Sequence, residues 1–254
     1  MCAGLVALLL VGAAPATAAT WRPHIREAAR YADSRAGGIS FGVRTARGLR
    51  GVDVERTVPS ASVLKAMLLV AYLRRPDVRE RALRAGDRAL LAPMIQRSDN
   101  AAASAVCNIV GLGGLARLAR RVGMKRFHAT RPWGLSSIDV ADQTRFFLHI
   151  DARVPKRHRR YAMRLLSGIV PSQRWGIGRV RPRGWALYFK GGWGSGTGWV
   201  DHQVALLRRG ARRLSVAILV TSSPSHAYGK ETVRGIAARL LHGLGPSGVP
   251  ALRR

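Results

Sequence analysis

The chain has 254 residues, 47% of them hydrophobic, and 43 Lys or Arg against 13 Asp or Glu, a formal net charge of +30. This length and apolar content exclude a disordered chain and suit one large domain or two interlocked ones. Only five of the bases are lysine (65, 125, 156, 190 and 230), and the arginines are dispersed without forming one tract. That pattern argues against a dedicated, aromatic-interleaved nucleic-acid surface, so no specific nucleic-acid partner is expected. It leaves a general attraction to polyanions, such as the anionic cell wall around an exported protein.

Leu5–Gly12 is an apolar run followed by Ala16-Thr-Ala18, a small-x-small pattern, so residues 1–18 are expected to be a secretory signal, although no Lys or Arg precedes the run. The run is too short to span a bilayer, and no later stretch is expected to do so. Cys2 belongs to this segment and Cys107 sits alone in an apolar helical pattern, so neither a disulfide nor a cysteine metal site is expected. Trp21–Arg35 places Ile25, Ala28, Ala29 and Ala32 at helical spacing, with Gly37-Gly38 ending the helix. Ile39–Arg44 alternates, Leu49–Val58 does so more loosely, and Ala46-Arg-Gly between them marks a hairpin. Pro59 then stops a loop, Ser60 is a candidate N-cap, and a buried helix is expected from Ser62 to Leu73.

From Arg75 to Gly123 the pattern is helical, broken at Pro76, Gly86, Pro93 and Gly111-Leu-Gly-Gly114, with Asp99 and Asn100 as candidate caps and Gly123 as a stop. Phe127–Ser137 is loop-like. Ser136 with Asp139 forms an S-x-x-D cap that opens a helix to about Ile150, and Pro155–Val170 is helical again. An irregular Arg/Gly/Pro-rich stretch leads to a strand Trp185–Lys190, a glycine-rich turn Gly191–Gly198, strands Trp199–Arg209 and Leu214–Thr221, and a closing helix His226–Leu244. Residues 246–254 are expected to be a disordered tail. Strands joined by hairpin-length turns imply an antiparallel sheet. The expected fold is therefore α/β (α+β): a five-stranded antiparallel sheet flanked by N- and C-terminal helices, with an inserted all-helical subdomain. Residues 19–245 would form a single domain, 19–60 plus 180–245 its sheet part and 61–179 its helical part, in a monomer.

Ser62 and Lys65 fall on one helical face, an arrangement by which a serine can be activated without histidine. Ser98-Asp-Asn100 follows in the helical middle and Lys190-Gly-Gly192 at the end of a strand. Ser62-Val-Leu-Lys65, Ser98-Asp-Asn100 and Lys190-Gly-Gly192, in this order and context, resemble the serine β-lactamase and D,D-peptidase (penicillin-binding protein-like) superfamily over about residues 24–243, class A β-lactamases in particular. The resemblance implies that Ser62 attacks a carbonyl carbon while the backbone N–H groups of Ser62 and Trp193 form the oxyanion hole. It implies Lys65 as the base, neutral enough if burial and Lys190 depress its pKa. Ser98 would relay the proton, Asn100 would bond a substrate amide, and Lys190 beside Gly192 would attract a substrate carboxylate, helped by the hydroxyls of Ser195 and Thr197. Trp133 and Trp193 are candidates to line the site.

Two departures matter. Gly191 stands where the superfamily has a hydroxyl residue, and the Glu-x-x-Leu-Asn motif that activates the deacylating water in class A enzymes is absent, Trp133-Gly-Leu-Ser136 occupying its region. Asp139 and Asp142 suit a helix start. The expectation is an exported serine hydrolase or acyltransferase that forms an acyl-enzyme at Ser62 with a β-lactam or peptidoglycan-like peptide, and deacylates slowly. The alternative is a catalytically weak or inactive cell-wall-associated binding protein. The seven histidines (24, 128, 149, 158, 202, 226 and 242) show no metal-ligand spacing, so no metal and no cofactor is expected.

Overall fold

The computed structural model describes residues 21–194 and 199–245. The expected signal segment, the expected tail, and Ser195 and Thr197 lie outside the described residues. In chain order the structure contains α1 (Ile25–Asp33), β1 (Gly38–Thr45), β2 (Gly48–Val52), β3 (Val58–Pro59), a 3-10 turn Ala61–Val63, α2 (Leu64–Leu73), α3 (Pro76–Arg79), α4 (Ala85–Gln96) and α5 (Asn100–Val122). There follow β4 (Ser137–Ile138), α6 (Val140–Leu148), α7 (Ile150–Arg153), α8 (Lys156–Ser167), β5 (Ala186–Gly194), β6 (Val200–Arg209), β7 (Arg212–Thr221) and α9 (His226–Leu240).

Five strands form one antiparallel sheet, as the sequence pattern predicts, in the order β2-β1-β7-β6-β5; the second expected strand, Leu49–Val58, stops at Val52. Helices cover both faces: α9 packs on β6 and β7 with α1 against it, while α6 packs on β1, β6 and β7 and α8 on β5. Two-sided cover explains why Val204–Leu207 and Leu214–Val220 are buried along their length instead of alternating with polar residues. The helical layer is organised around α2, whose ten residues are all buried, lying against α4 and α5. A helix apolar on every face except for Lys65 and the Tyr72 hydroxyl has to sit inside the protein, and here it anchors the end of the chain segment that carries Ser62.

The breaks predicted in the helical middle are only partly breaks. Pro76 starts α3 at a first-turn position, where its missing N–H costs nothing. Pro93 sits inside α4 near its end, and its carbonyl accepts from the N–H groups of both Arg97 and Asp99 (3.1 Å each), which folds the chain into Ser98. Gly111 does interrupt α5: at φ 69°, ψ 160° it kinks one long helix into two. Asp99 caps α5 by accepting from Ala102 N–H at 2.7 Å, and Gly123 ends it in the left-handed conformation. Before this kink is considered, α5 is long and apolar enough to cross a membrane, contrary to the expectation that no such stretch follows the N-terminal run. It lies against α2 and α4 in the helical layer.

Two capping expectations are corrected. Ser60 makes no side-chain cap; its backbone is already helical, and its hydroxyl bonds the carbonyls of Ala61 and Gly134. The helix expected to begin at Ser62 begins at Leu64, Ser62 lying in the preceding 3-10 turn. Ser136 likewise does not cap α6. Asp139 does, accepting from Asp142 N–H at 2.6 Å, while the Ser136 hydroxyl accepts from Thr130 N–H.

Candidate active site

Ser62 is held from two sides. Below it, the 3-10 turn leads straight into the buried α2, so neither can shift without disturbing the core. Beside it runs β5, the edge strand of the sheet. The contact there is backbone on backbone: a Cβ on Gly192 would lie 2.9 Å from Ser62 N and 2.8 Å from Val63 N. Only glycine allows an approach this close. β3 pairs with β4, and Ser60 N–H donates to Ser136 O at 2.8 Å, so the segment before β4 is fastened over the Ser62 turn. Ala61, at φ 42°, and Ser98, at φ 58°, take left-handed backbone conformations that side-chain-bearing residues adopt at a cost of about 1–3 kcal/mol. The first precedes Ser62; the second aims both the carbonyl and the hydroxyl of Ser98 at one lysine.

That lysine is Lys65. It is fully buried, and its three N–H groups go to Ser98 O (2.6 Å), Ser98 Oγ (3.1 Å) and Asn100 Oδ1 (2.8 Å). Burial pulls its pKa from the ordinary lysine value to about 7, against a weaker opposing pull from Asp99. The Trp133 ring lies 5.0 Å from its ammonium. Lys190 arrives from β5 and donates to the same Ser98 Oγ at 3.0 Å and to Gly191 O at 2.7 Å. Complete burial, and then the charge of Lys65, push its pKa well below the usual range. Ser98 Oγ thus sits between two lysines whose charged forms are disfavoured by burial, an environment suited to proton transfer. Among the described residues no hydrogen bond joins Ser62 Oγ to Lys65, whose donors all point to the Ser98–Asn100 side.

These residues open onto a cleft of about 500 Å³ lined by Ser62, Ser98, Asn100, Trp133, Leu135 and Trp193 among others. Trp133 is oriented by an N–H bond to Ser104 Oγ at 3.1 Å. The predicted lining role of Trp133 and Trp193 therefore holds. Among the described residues lining the cleft there is no Asp, Glu or His. Asp139 and Asp142 are elsewhere, at the start of α6, where the Asp142 carboxylate accepts from the N–H groups of Lys125, Arg126 and Phe127. Two sequence expectations change. Lys190-Gly-Gly192 does not end its strand, which runs on to Gly194. Lys190 has no exposed surface, so it is not the exposed anchor for a ligand carboxylate that the strand-end position implied.

The sequence pattern misses the supports. Asp201, His202 and Gln203 are three consecutive polar residues, all fully buried, ahead of the apolar Val204–Leu207 of β6, and each bonds a different segment. Asp201 bonds His226 Nδ1 of α9 at 3.1 Å, its own pKa raised to about 6 by burial. His202 accepts from Val220 N–H at Nδ1 and therefore donates from Nε2 to Pro59 O (3.0 Å), directly ahead of the Ser62 turn. Burial drops its pKa to about 4, which keeps it neutral and in that tautomer. Gln203 accepts from Ile177 N–H (2.7 Å) and donates to Trp175 O (2.9 Å). Trp175 is thereby placed where a Cβ on Gly191 would meet it at 3.3 Å, and it packs edge-on to Trp193 with Lys230 of α9 5.7 Å from its ring. A polar triplet opening an apolar strand was the available signal.

With this geometry established, comparisons place the chain among known proteins. The sequence profile described as "Beta-lactamase enzyme family" matches residues 81–244. No curated protein matches the chain significantly. Among solved structures, a β-lactamase from Sphaerobacter thermophilus DSM 20745 is similar at 21% identity and TM-score 0.73, covering 87% of this chain and 98% of that one. An ancestral (GNCA) class A β-lactamase gives 18% and 0.74, covering 86% and 98%. A β-lactamase from Xanthomonas campestris pv. campestris gives 17% and 0.74, covering 87% and 97%.

Proposed function

From the premise that the chain belongs to the β-lactamase enzyme family, we propose that it is an exported serine hydrolase or acyltransferase that takes an acyl group onto Ser62 from a β-lactam or a peptidoglycan-like peptide or ester, and releases it slowly. The observation that carries this is the hydrogen-bonded set Lys65–Ser98–Lys190 beside Ser62. With a pKa of about 7, Lys65 is neutral in a large fraction of molecules at neutral pH. On losing its proton it gives up one of three donor bonds and gains the lone pair that can take the Ser62 proton. Ser62 Oγ then bonds the carbonyl carbon. The oxyanion is met by N–H groups of the nucleophile turn and of the outer edge of β5, for which Ser62 and Trp193 are the candidates. Ser98 Oγ, linked to both lysines, passes a proton to the leaving nitrogen. Asn100 offers its Nδ2 to a substrate carbonyl while its Oδ1 is held by Lys65.

Slow release follows from the cleft. Among its described residues none is a carboxylate or imidazole able to activate water, and the fastened segment carrying Trp133 lies over Lys65. The same observation supports a second possibility, a cell-wall-associated protein that binds or is acylated without turning over. Export is supported by Leu5–Gly12 and Ala16-Thr-Ala18. Time-resolved intact-protein mass spectrometry with nitrocefin tests acylation and its release. The expected record is one added acyl mass that forms, maps to Ser62 and decays slowly, and that is absent from Ser62→Ala. An adduct that never decays favours the binding protein, and undiminished labelling of Ser62→Ala removes the assignment.

A further inference from the structure

The far end of α2 carries a second concave feature. Ser62 and Lys65 lie at its N-terminal end. About 14 Å along the axis, at 1.5 Å per residue, Arg74 and Arg75 open onto a cavity of about 360 Å³ between α2, α3 and the second half of α5. Arg79, Arg117 and Arg121 complete its basic lining, and Glu80 is its one acid.

The arginines are unequally compensated. Arg75 is clamped on the Asp77 carboxylate by two bonds of 2.9 Å, and Arg79 pairs with Glu80 at 3.2 Å. Arg74 donates to the carbonyl of Arg153 at 2.7 Å, and α2 ends here, so its carbonyl dipoles account for part of the local preference for cations. Among the described residues, no carboxylate lies within 4 Å of Arg74, Arg117 or Arg121. Arg117 and Arg121 stand one turn apart on α5, on the face that also presents Gly114 and Leu118 to the cavity. The repulsion is felt inside the fold: burial and then the charges of Arg121, Arg153 and Arg79 lower the pKa of Arg74. Arg117 and Arg121 are exposed, so five arginines line one surface hollow around the half-buried Arg74. A bound anion relieves that repulsion, and an oxyanion with more than two acceptor oxygens uses more of the planar forks than a carboxylate does.

We propose that this cavity is an anion site for phosphate groups, with Arg74, Arg117 and Arg121 as the residues that hold them, placed so that a phosphate-bearing chain can be bound while the Ser62 cleft stays open. The phosphate can belong to a free or polymeric phosphate or to a lipid headgroup, and the two sources are separable. Isothermal titration of the full chain with sodium pyrophosphate at low ionic strength tests the first, and co-sedimentation with phosphatidylglycerol vesicles the second. The Arg117→Ala/Arg121→Ala variant should bind at least tenfold more weakly to the probe the protein prefers. The Arg179→Ala/Arg183→Ala variant removes the same charge from exposed positions near the sheet and should change binding less than twofold. Circular dichroism of both variants separates loss of binding from loss of fold. Equal weakening in the two variants, which would make the attraction a property of total charge, overturns the proposal, as does failure to bind either probe.

Discussion

At the residue scale the decisive fact is that Lys65 is buried with a pKa near 7. If neutral Lys65 takes the Ser62 proton, the acylation rate should fall about tenfold per pH unit below 7 and level off above it. A stopped-flow nitrocefin profile flat from pH 5 to 8 would assign the base elsewhere. The same shift has a stability consequence. The unfolded lysine keeps its proton up to about pH 10.5 whereas the folded one loses it near 7, so between those values the unfolded state binds more protons and stability rises with pH. The penalty is at its full size below pH 7. Lys65→Met removes it, and should raise the melting temperature at pH 7 by several degrees while abolishing acylation; the gain should shrink toward pH 10. Lower stability of Lys65→Met at pH 7 would show that the three hydrogen bonds outweigh the desolvation.

At the element scale, the proposed acylation depends on how β5 meets the Ser62 turn. Gly192→Ala inserts a methyl 2.8 Å from Val63 N and 2.9 Å from Ser62 N, atoms of a backbone anchored in the core. It should cost about 1–3 kcal/mol in urea unfolding and at least a hundredfold in acylation rate, since about 1 Å of misplacement carries a penalty of that order. Gly191 poses a different question. Gly191→Thr, which restores the superfamily's hydroxyl, meets the Trp175 indole that Gln203 holds in place. Alone it should destabilise without speeding acylation. Combined with Trp175→Ala it should speed acylation by β-lactams bearing a carboxylate, by several-fold in the mass-spectrometric assay. A benefit from Gly191→Thr alone would mean that Trp175 yields easily. The legibility of the site follows the same division. Ser62, Lys65, Ser98 and Lys190 were visible because their chemistry lies in short motifs, whereas Trp175, His202 and Gln203 act through contacts between distant segments.

At the scale of the whole molecule, the charge of +30 sets the behaviour. Self-repulsion destabilises the compact state and is screened over about 10 Å at 0.1 M salt. The melting temperature should therefore rise between 10 and 300 mM sodium chloride, measured by differential scanning calorimetry, and sulfate should raise it further. A decline with salt would mean that attractive pairs such as Arg81–Asp87 and Arg213–Asp151 dominate the balance.

The sequence by itself determined the five-stranded antiparallel sheet divided by a helical middle, the first and last helices and the three motifs, because hydrophobic periodicity and short spacings are local properties that packing has to accommodate. It did not determine that Ser62 precedes the helix instead of opening it, that strand β5 runs on past Lys190-Gly-Gly192, or that Lys190 is sealed. Those depend on which backbones touch. Tertiary structure alone also decided the pKa of Lys65, since desolvation comes from surrounding atoms, and the assembly of the cleft and the arginine cavity, since each draws its residues from segments far apart in the chain.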